Sequence, residues 1–181
     1  MLSCRRAPPT GGALRILVIA GGRYSPGGWN PQQLITESYS TRDPIFVPEF
    51  LGNAWPVVDY IVRLRGATAS VTSYFFAQVK TTSRGYARSG RLRASISARE
   101  MRGLVANPIP TYIVGVDESA KAAYLMCAND EHHQGLASLP TDHPLNRHTQ
   151  EPLWDEVNTF WKTVSPAKFV SRFSDQVRSK G

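Results

Sequence analysis

Cysteine is nearly absent: the 181 residues contain only Cys4 and Cys127. Two lone thiols without motif spacing exclude a disulfide framework and fit a reducing, cytoplasmic setting. Long apolar runs are missing too. No stretch approaches the roughly 20 residues that span a bilayer. The short run from Ala13 to Ala20 is interrupted by Arg15 and is too weak for a secretory signal. Histidine is scarce, and His132, His133, His143 and His148 all fall in the polar stretch 129–150. Taken with Cys127, their spacings match no zinc-finger or metalloprotease pattern, so they read as surface or structural groups. A glycine-rich stretch, 21–28, follows a candidate strand from Leu14 to Ala20, but it contains neither Gly-Lys-Ser/Thr nor Gly-x-Gly-x-x-Gly. A phosphate-cradling loop is therefore not supported, and residues 1–30 read as a flexible extension.

Acids are also in short supply, 14 against 21 lysines and arginines, for a net charge of +7. That balance favours polyanionic partners, nucleic acid before acidic membrane surfaces. With 41% hydrophobic residues the chain has enough apolar material for one domain with a core.

The most informative stretches are Ala54 to Leu64 and Ser73 to Lys80. Both are short and rich in β-branched and aromatic residues, and Arg65 to Ser70 between them is small and flexible. This predicts a β-hairpin. Each strand carries polar groups where a buried strand carries apolar ones. Gln78 and Lys80 are two apart and share a face. A turn centred near Thr68 and Ala69 sets Asp59 opposite Gln78. One carboxylate, one amide and one ammonium then meet on one face. Three readings stay open at this point: a buried ion pair between Asp59 and Lys80, polar residues facing water at the end of a sheet, or a functional cluster, since a buried charge costs several kcal/mol unless paired or metal-bound.

Further along, Thr81 to Ala94 is a polar loop bearing Arg84, Arg88, Arg91 and Arg93, whose forked donors suit phosphate oxygens or simply water. Tyr86 is a candidate for stacking on a base. Ser97 and Glu100 form a capping box that opens a helix to Ala106, with Met101, Leu104 and Val105 on its apolar stripe. Thr111 to Val116 and Ala122 to Cys127 read as strands around a turn at Asp117. Pro31 to Tyr39 reads as a short helix capped by Asn30, and Pro152 to Val164 as an amphipathic helix. A last helix after Pro166 carries Phe169, Val170 and Phe173.

The succession Asp59, about twenty residues, then Gln78-Val79-Lys80-Thr81, followed by a helix, Asn-Pro-Ile-Pro and a strand, resembles the PD-(D/E)XK nuclease-like superfamily. Within it, a bacterial group with an Asp…Gln-Val-Lys core is the most similar. The resemblance covers roughly residues 35–128. It implies an α/β fold, a restriction-endonuclease-like central mixed β-sheet flanked by helices, with a core over 31–130 and C-terminal helices packed on it. It also implies metal-dependent hydrolysis of DNA phosphodiesters in bacterial defence or mobile-element conflict. Asp59, Gln78 and the Val79 carbonyl would hold Mg²⁺ or Mn²⁺, and Lys80 would stabilise charge on the phosphate. A glutamate from the preceding helix, Glu37 or the nearer Glu49, would add a second carboxylate. The sequence departs from the pattern in two places: Gln78 replaces an acid, and Thr41-Arg42-Asp43-Pro44 breaks any long first helix. These departures leave open a non-catalytic module of the same fold that binds nucleic acid or a protein, acting as a homodimer or with a separate subunit.

Overall fold

The computed structural model describes residues 45–52, 55–67 and 72–164. The candidate strand at 14–20, the helix at 31–39 with Glu37, Cys4, the hairpin tip at 68–71 and the helix after Pro166 lie outside the described residues.

Among the described residues the architecture is α/β: a mixed five-stranded sheet with two α-helices. Its strands are β1 (Phe46–Phe50), β2 (Tyr60–Leu64), β3 (Tyr74–Thr82), β5 (Thr111–Asp117) and β6 (Ala122–Cys127), lying side by side in that order. A two-residue strand β4 (Ile96–Ser97) pairs with β7 (Gly135–Leu136) in a separate ladder. The helices are α1 (Ala98–Val105) and α2 (Arg147–Thr163). β1, β2 and β3 run antiparallel, β3 and β5 parallel, and β5 and β6 antiparallel again. The parallel pair needs a crossover, and α1 lies within it. All seven residues of β5 are buried, as expected of a strand covered on both faces.

Each face of the sheet has its own core. On one face Phe46, Tyr60, Val62, Phe75, Tyr112 and Val114 pack with Leu153 and Val157 of α2. On the other, Phe76, Ile113 and Met126 pack with Met101 and Leu104 of α1 and with Leu92 and Leu139 from the loops. Two indole N–H groups fasten α2 to the hairpin: Trp154 Nε1 donates to the Arg65 carbonyl at 3.0 Å and Trp161 Nε1 to the Tyr74 carbonyl at 2.7 Å.

Several elements differ from expectation. The strand expected from Ala54 begins only at Tyr60, because Trp55 to Val57 form a turn in which Val57 takes a φ of 66°. The helix expected from Pro152 starts five residues earlier, where Asn146 and Thr149 form a capping box, so Pro152 sits inside it. Its missing N–H forfeits one helical hydrogen bond, but burial of Leu153 and Val157 outweighs that loss. Val164, the expected last residue of that helix, caps it and is exposed. β1 is not predicted, since Pro48 disguises it; proline is tolerated there because β1 is an edge strand among the described residues.

Gly135 shows how tightly the small ladder is built. A Cβ there would lie 2.5 Å from the Ile96 carbonyl oxygen and 2.6 Å from the Ala98 nitrogen, and its φ is +82°. Backbone atoms cannot step aside, so Gly135→Ala should lower stability to urea by about 1–3 kcal/mol. Unchanged stability would show that the β4–β7 contact yields.

Candidate active site

The hairpin register pairs Tyr60 with Ala77 and Ile61 with Phe76, and one further step brings Asp59 against Gln78. The Asp59 N–H donates to the Ala77 carbonyl at 3.1 Å, holding that step in place. Asp59 Oδ2 accepts two hydrogen bonds, from the Gln78 side-chain amide at 2.7 Å and from the Val79 backbone N–H at 2.7 Å. The Gln78 amide also donates to the Val79 carbonyl at 3.3 Å. Asp59, Gln78, Val79 and Lys80 thus come together around the junction of β2 and β3. The face is the one that α1 covers, since Gln78 and Lys80 share the face of Phe76 and stand beside Ile113 and Gly115 of β5.

Lys80 does not pair with Asp59. Its Nζ donates to Glu100 Oε1 at 2.6 Å, and both groups are partly buried. Glu100 opens α1 as its capping-box residue: Oε2 accepts from the Ser97 N–H at 2.9 Å and the Ser97 hydroxyl at 2.7 Å. One carboxylate therefore serves the helix start with one oxygen and the site lysine with the other.

The chain reaches Asp59 through strain. A β-branched residue at a φ of 66° costs on the order of 1–3 kcal/mol, so packing must hold Val57 there. A Cβ on Gly103 of α1 would meet Val57 Cγ2 at 2.8 Å, so the missing side chain at Gly103 is what lets Val57 seat against the helix. The turn that delivers Asp59 is thereby docked onto the helix that delivers Glu100.

The electrostatics of the two acids diverge. Desolvation by burial raises the Asp59 pKa above its usual value, against the opposing pull of the Val79 N–H and the Lys80 charge; Glu100 adds to the rise. The hydrogen bond from Lys80, with further donors from Ser97, lowers Glu100 to about 2.

The other predicted site residues are placed as follows. Glu49 lies on β1 opposite Ile61 and forms an exposed ion pair with Arg63 at 2.5 Å. Arg84 and Arg88 are exposed, as is Arg93, while Arg91 is tied to Ser138 through both its hydroxyl and its carbonyl. The loop that carries them comes close to Lys80, because Leu92 lies over Gly115, the register partner of Lys80. Tyr86 shares a hydrogen bond with the Tyr124 hydroxyl at 2.9 Å. Asp117 accepts from the N–H groups of Ser119 and Ala120, a turn role. His143 and His148 line a cleft of about 380 Å³ beside α2, together with Cys127 and Glu156.

Do these residues suit a hard cation? Among the described residues no three His, Cys, Asp or Glu side chains are grouped to hold one. Mg²⁺, however, is bound by one or two carboxylates, carbonyl oxygens and water. Asp59 Oδ2 and the Val79 carbonyl already converge on one point, the Gln78 NH₂. A cation would draw on the same two oxygens, and turning the Gln78 amide over would add its own. The donor set fits.

Comparison with protein-family models, with curated proteins and with solved structures finds no match to this chain.

Glu100 is the residue that sequence reasoning placed only as a cap. The signal was an acid on the helix immediately after the motif strand, but its reach to Lys80 depends on how α1 docks.

The opposed shifts give opposed stability effects. Glu100, with its pKa depressed from 4.5 to about 2, contributes stability above pH 4.5 that is lost as pH falls towards 2. Glu100→Gln keeps the cap and should cost about 0.5–1 kcal/mol near neutrality, after screening of a partly exposed pair. The difference from wild type should vanish in strong acid. Asp59, with its pKa raised, is less stable folded once it ionises. Asp59→Asn should therefore stabilise the fold at neutral pH, the gain fading on acidification. Urea titrations across pH test both, and a destabilised Asp59→Asn would contradict the assignment.

Proposed function

We propose that the protein is a metal-dependent nuclease of the restriction-endonuclease-like type, hydrolysing phosphodiester bonds in DNA. The observation that carries this reading is the meeting of Asp59, Gln78 and Lys80 on one face, beside the Val79 backbone N–H and carbonyl, with a second carboxylate, Glu100, supplied by the crossover helix. The antiparallel meander followed by a crossover to a parallel strand supports it. So does the net charge of +7. The free, exposed thiol of Cys127 suits a reducing cytoplasm.

In this reading Asp59, the Val79 carbonyl and the Gln78 amide oxygen hold Mg²⁺ or Mn²⁺. When bound, the cation polarises the phosphate and lowers the pKa of a coordinated water. Lys80 has three N–H donors and gives one to Glu100, which leaves two for the phosphoryl oxygens as charge grows on them. Glu100 fixes where that ammonium stands. The Val79 N–H holds the Asp59 carboxylate at its angle to the strand. Arg84 and Arg88, exposed on the neighbouring loop, grip the DNA backbone.

A second reading draws on Gln78. Its amide already satisfies Asp59 and carries no charge, which suits a module of this fold that binds DNA, or a protein partner, without cutting it. Plasmid incubated with Mg²⁺ or Mn²⁺ separates the two. Cutting should stop with chelator and fall at least about 100-fold in Asp59→Ala and in Lys80→Ala. A gel shift without cutting would favour the binding module, and cutting that survives both substitutions would eliminate the site.

Replacing Arg84 and Arg88 together by Ala should weaken duplex affinity and flatten its dependence on log salt by about 2. An unchanged slope would remove that loop from the interface.

A further inference from the structure

Four residues before Asp59, Trp55 leaves its large apolar ring 49% exposed. The ring is not loose. It leans on Phe76 with centroids 5.4 Å apart and a tilt of 55°. Phe76 precedes Gln78 by two positions on the same face of β3, about 6.6 Å along the strand. That is about the reach of two stacked nucleotides, at 3.4 Å per step. Two residues beyond Trp55, Val57 is pinned against Gly103, so the turn that carries the ring is anchored to α1.

Arg99 and Arg102, exposed and one turn apart on α1, alternate with Glu100 and Gly103, which face Lys80 and Val57. An exposed aromatic face held in place on the side of the sheet that carries Lys80, itself four positions and about 13 Å beyond Phe76, suits an unpaired strand of about four stacked nucleotides. Within an intact duplex both faces of a base are covered by its neighbours, so such a ring has nothing to stack on.

We propose that Trp55 is a base-stacking platform, and that the strand held at the Asp59–Lys80 cluster is single-stranded there: a free strand, a flap or a frayed end. This rests on the nuclease-type reading for the direction of the strand but makes its own claim about binding. The platform limits what can be presented to Lys80, because a base seated on Trp55 fixes the register of the phosphates about four stacked positions along the strand.

The test is equilibrium binding of the full chain, in chelator, to fluorescently labelled oligodeoxythymidylate and to a mixed-sequence duplex of equal length. The expected result is that Trp55→Ala weakens single-strand binding about 5- to 150-fold, the range of one base–aromatic stack. Duplex affinity should change less than about 2-fold, and Trp55→Phe should recover most of the loss. Recovery by phenylalanine, with matching urea curves, separates stacking from misfolding. Equal losses on both substrates, no loss on either, or no binding of the single strand by wild type would overturn the proposal. Plasmid cutting is scored separately. Trp55-dependent single-strand binding without metal-dependent cutting leaves the platform standing and removes the nuclease. Asp59-dependent cutting that is indifferent to Trp55→Ala removes the platform and keeps the nuclease.

Discussion

A carboxylate sits partly buried on the face of a sheet, and the local structure is arranged to hold it there. Removing an ionised group from water costs several kcal/mol unless hydrogen bonds or opposite charge make up the loss. Asp59 receives two short hydrogen bonds, one from a backbone N–H and one from a side-chain amide, both from the neighbouring strand. The first is obligatory in kind: the Val79 N–H must find an acceptor, and the carboxylate provides it. The β2–β3 register, the strained turn at Val57 and the glycine at 103 all follow from this geometry. Each sets where Asp59 stands relative to β3 or to α1.

The crossover helix is the second fixed point. α1 has only eight residues, short enough that its start depends on a good cap. Glu100 provides half of that cap and also holds Lys80. Helix initiation and lysine placement are therefore coupled through one side chain. The β4–β7 ladder, which aligns Ser97, extends the coupling to Gly135, whose backbone sits against Ile96 and Ala98. A disturbance at Gly135, well away from the hairpin in sequence, would move the cap first and the ammonium next.

Much of this is legible in the sequence. The pairing of Asp59 with Gln78 followed from the period of two along strands and a turn centred between Thr68 and Ala69, which are local rules. The helix from Ser97 announced itself by its cap. What was hidden was tertiary or disguised by proline. Pro48 made an edge strand look like loop, and Pro152 looked like a helix start although Asn146 had already nucleated α2. The ladder between Ile96 and Leu136 is too short to leave a pattern. The partner of Lys80 was invisible because no local rule relates position 80 to position 100; only the docking of α1 on the sheet does. The turn at Val57 was misread as strand because Val is a strand former, and the packing against Gly103 overrides that preference.

The division of labour between the two acids follows from their surroundings. Glu100 is fully engaged, one oxygen with Ser97 and the other with Lys80, and it stays ionised down to about pH 2. Asp59 is held by neutral donors, its pKa raised by desolvation with an added push from Glu100. Where environments drive two carboxyl groups apart in this way, they take different roles. Glu100 is the anchor, already compensated, with little to gain from further positive charge. Asp59 is the acid whose ionised form is undercompensated, so any added positive charge acts most strongly there. Lys80 lies between them and is committed to the anchor, which leaves Asp59 as the point on this face where a cation would be drawn.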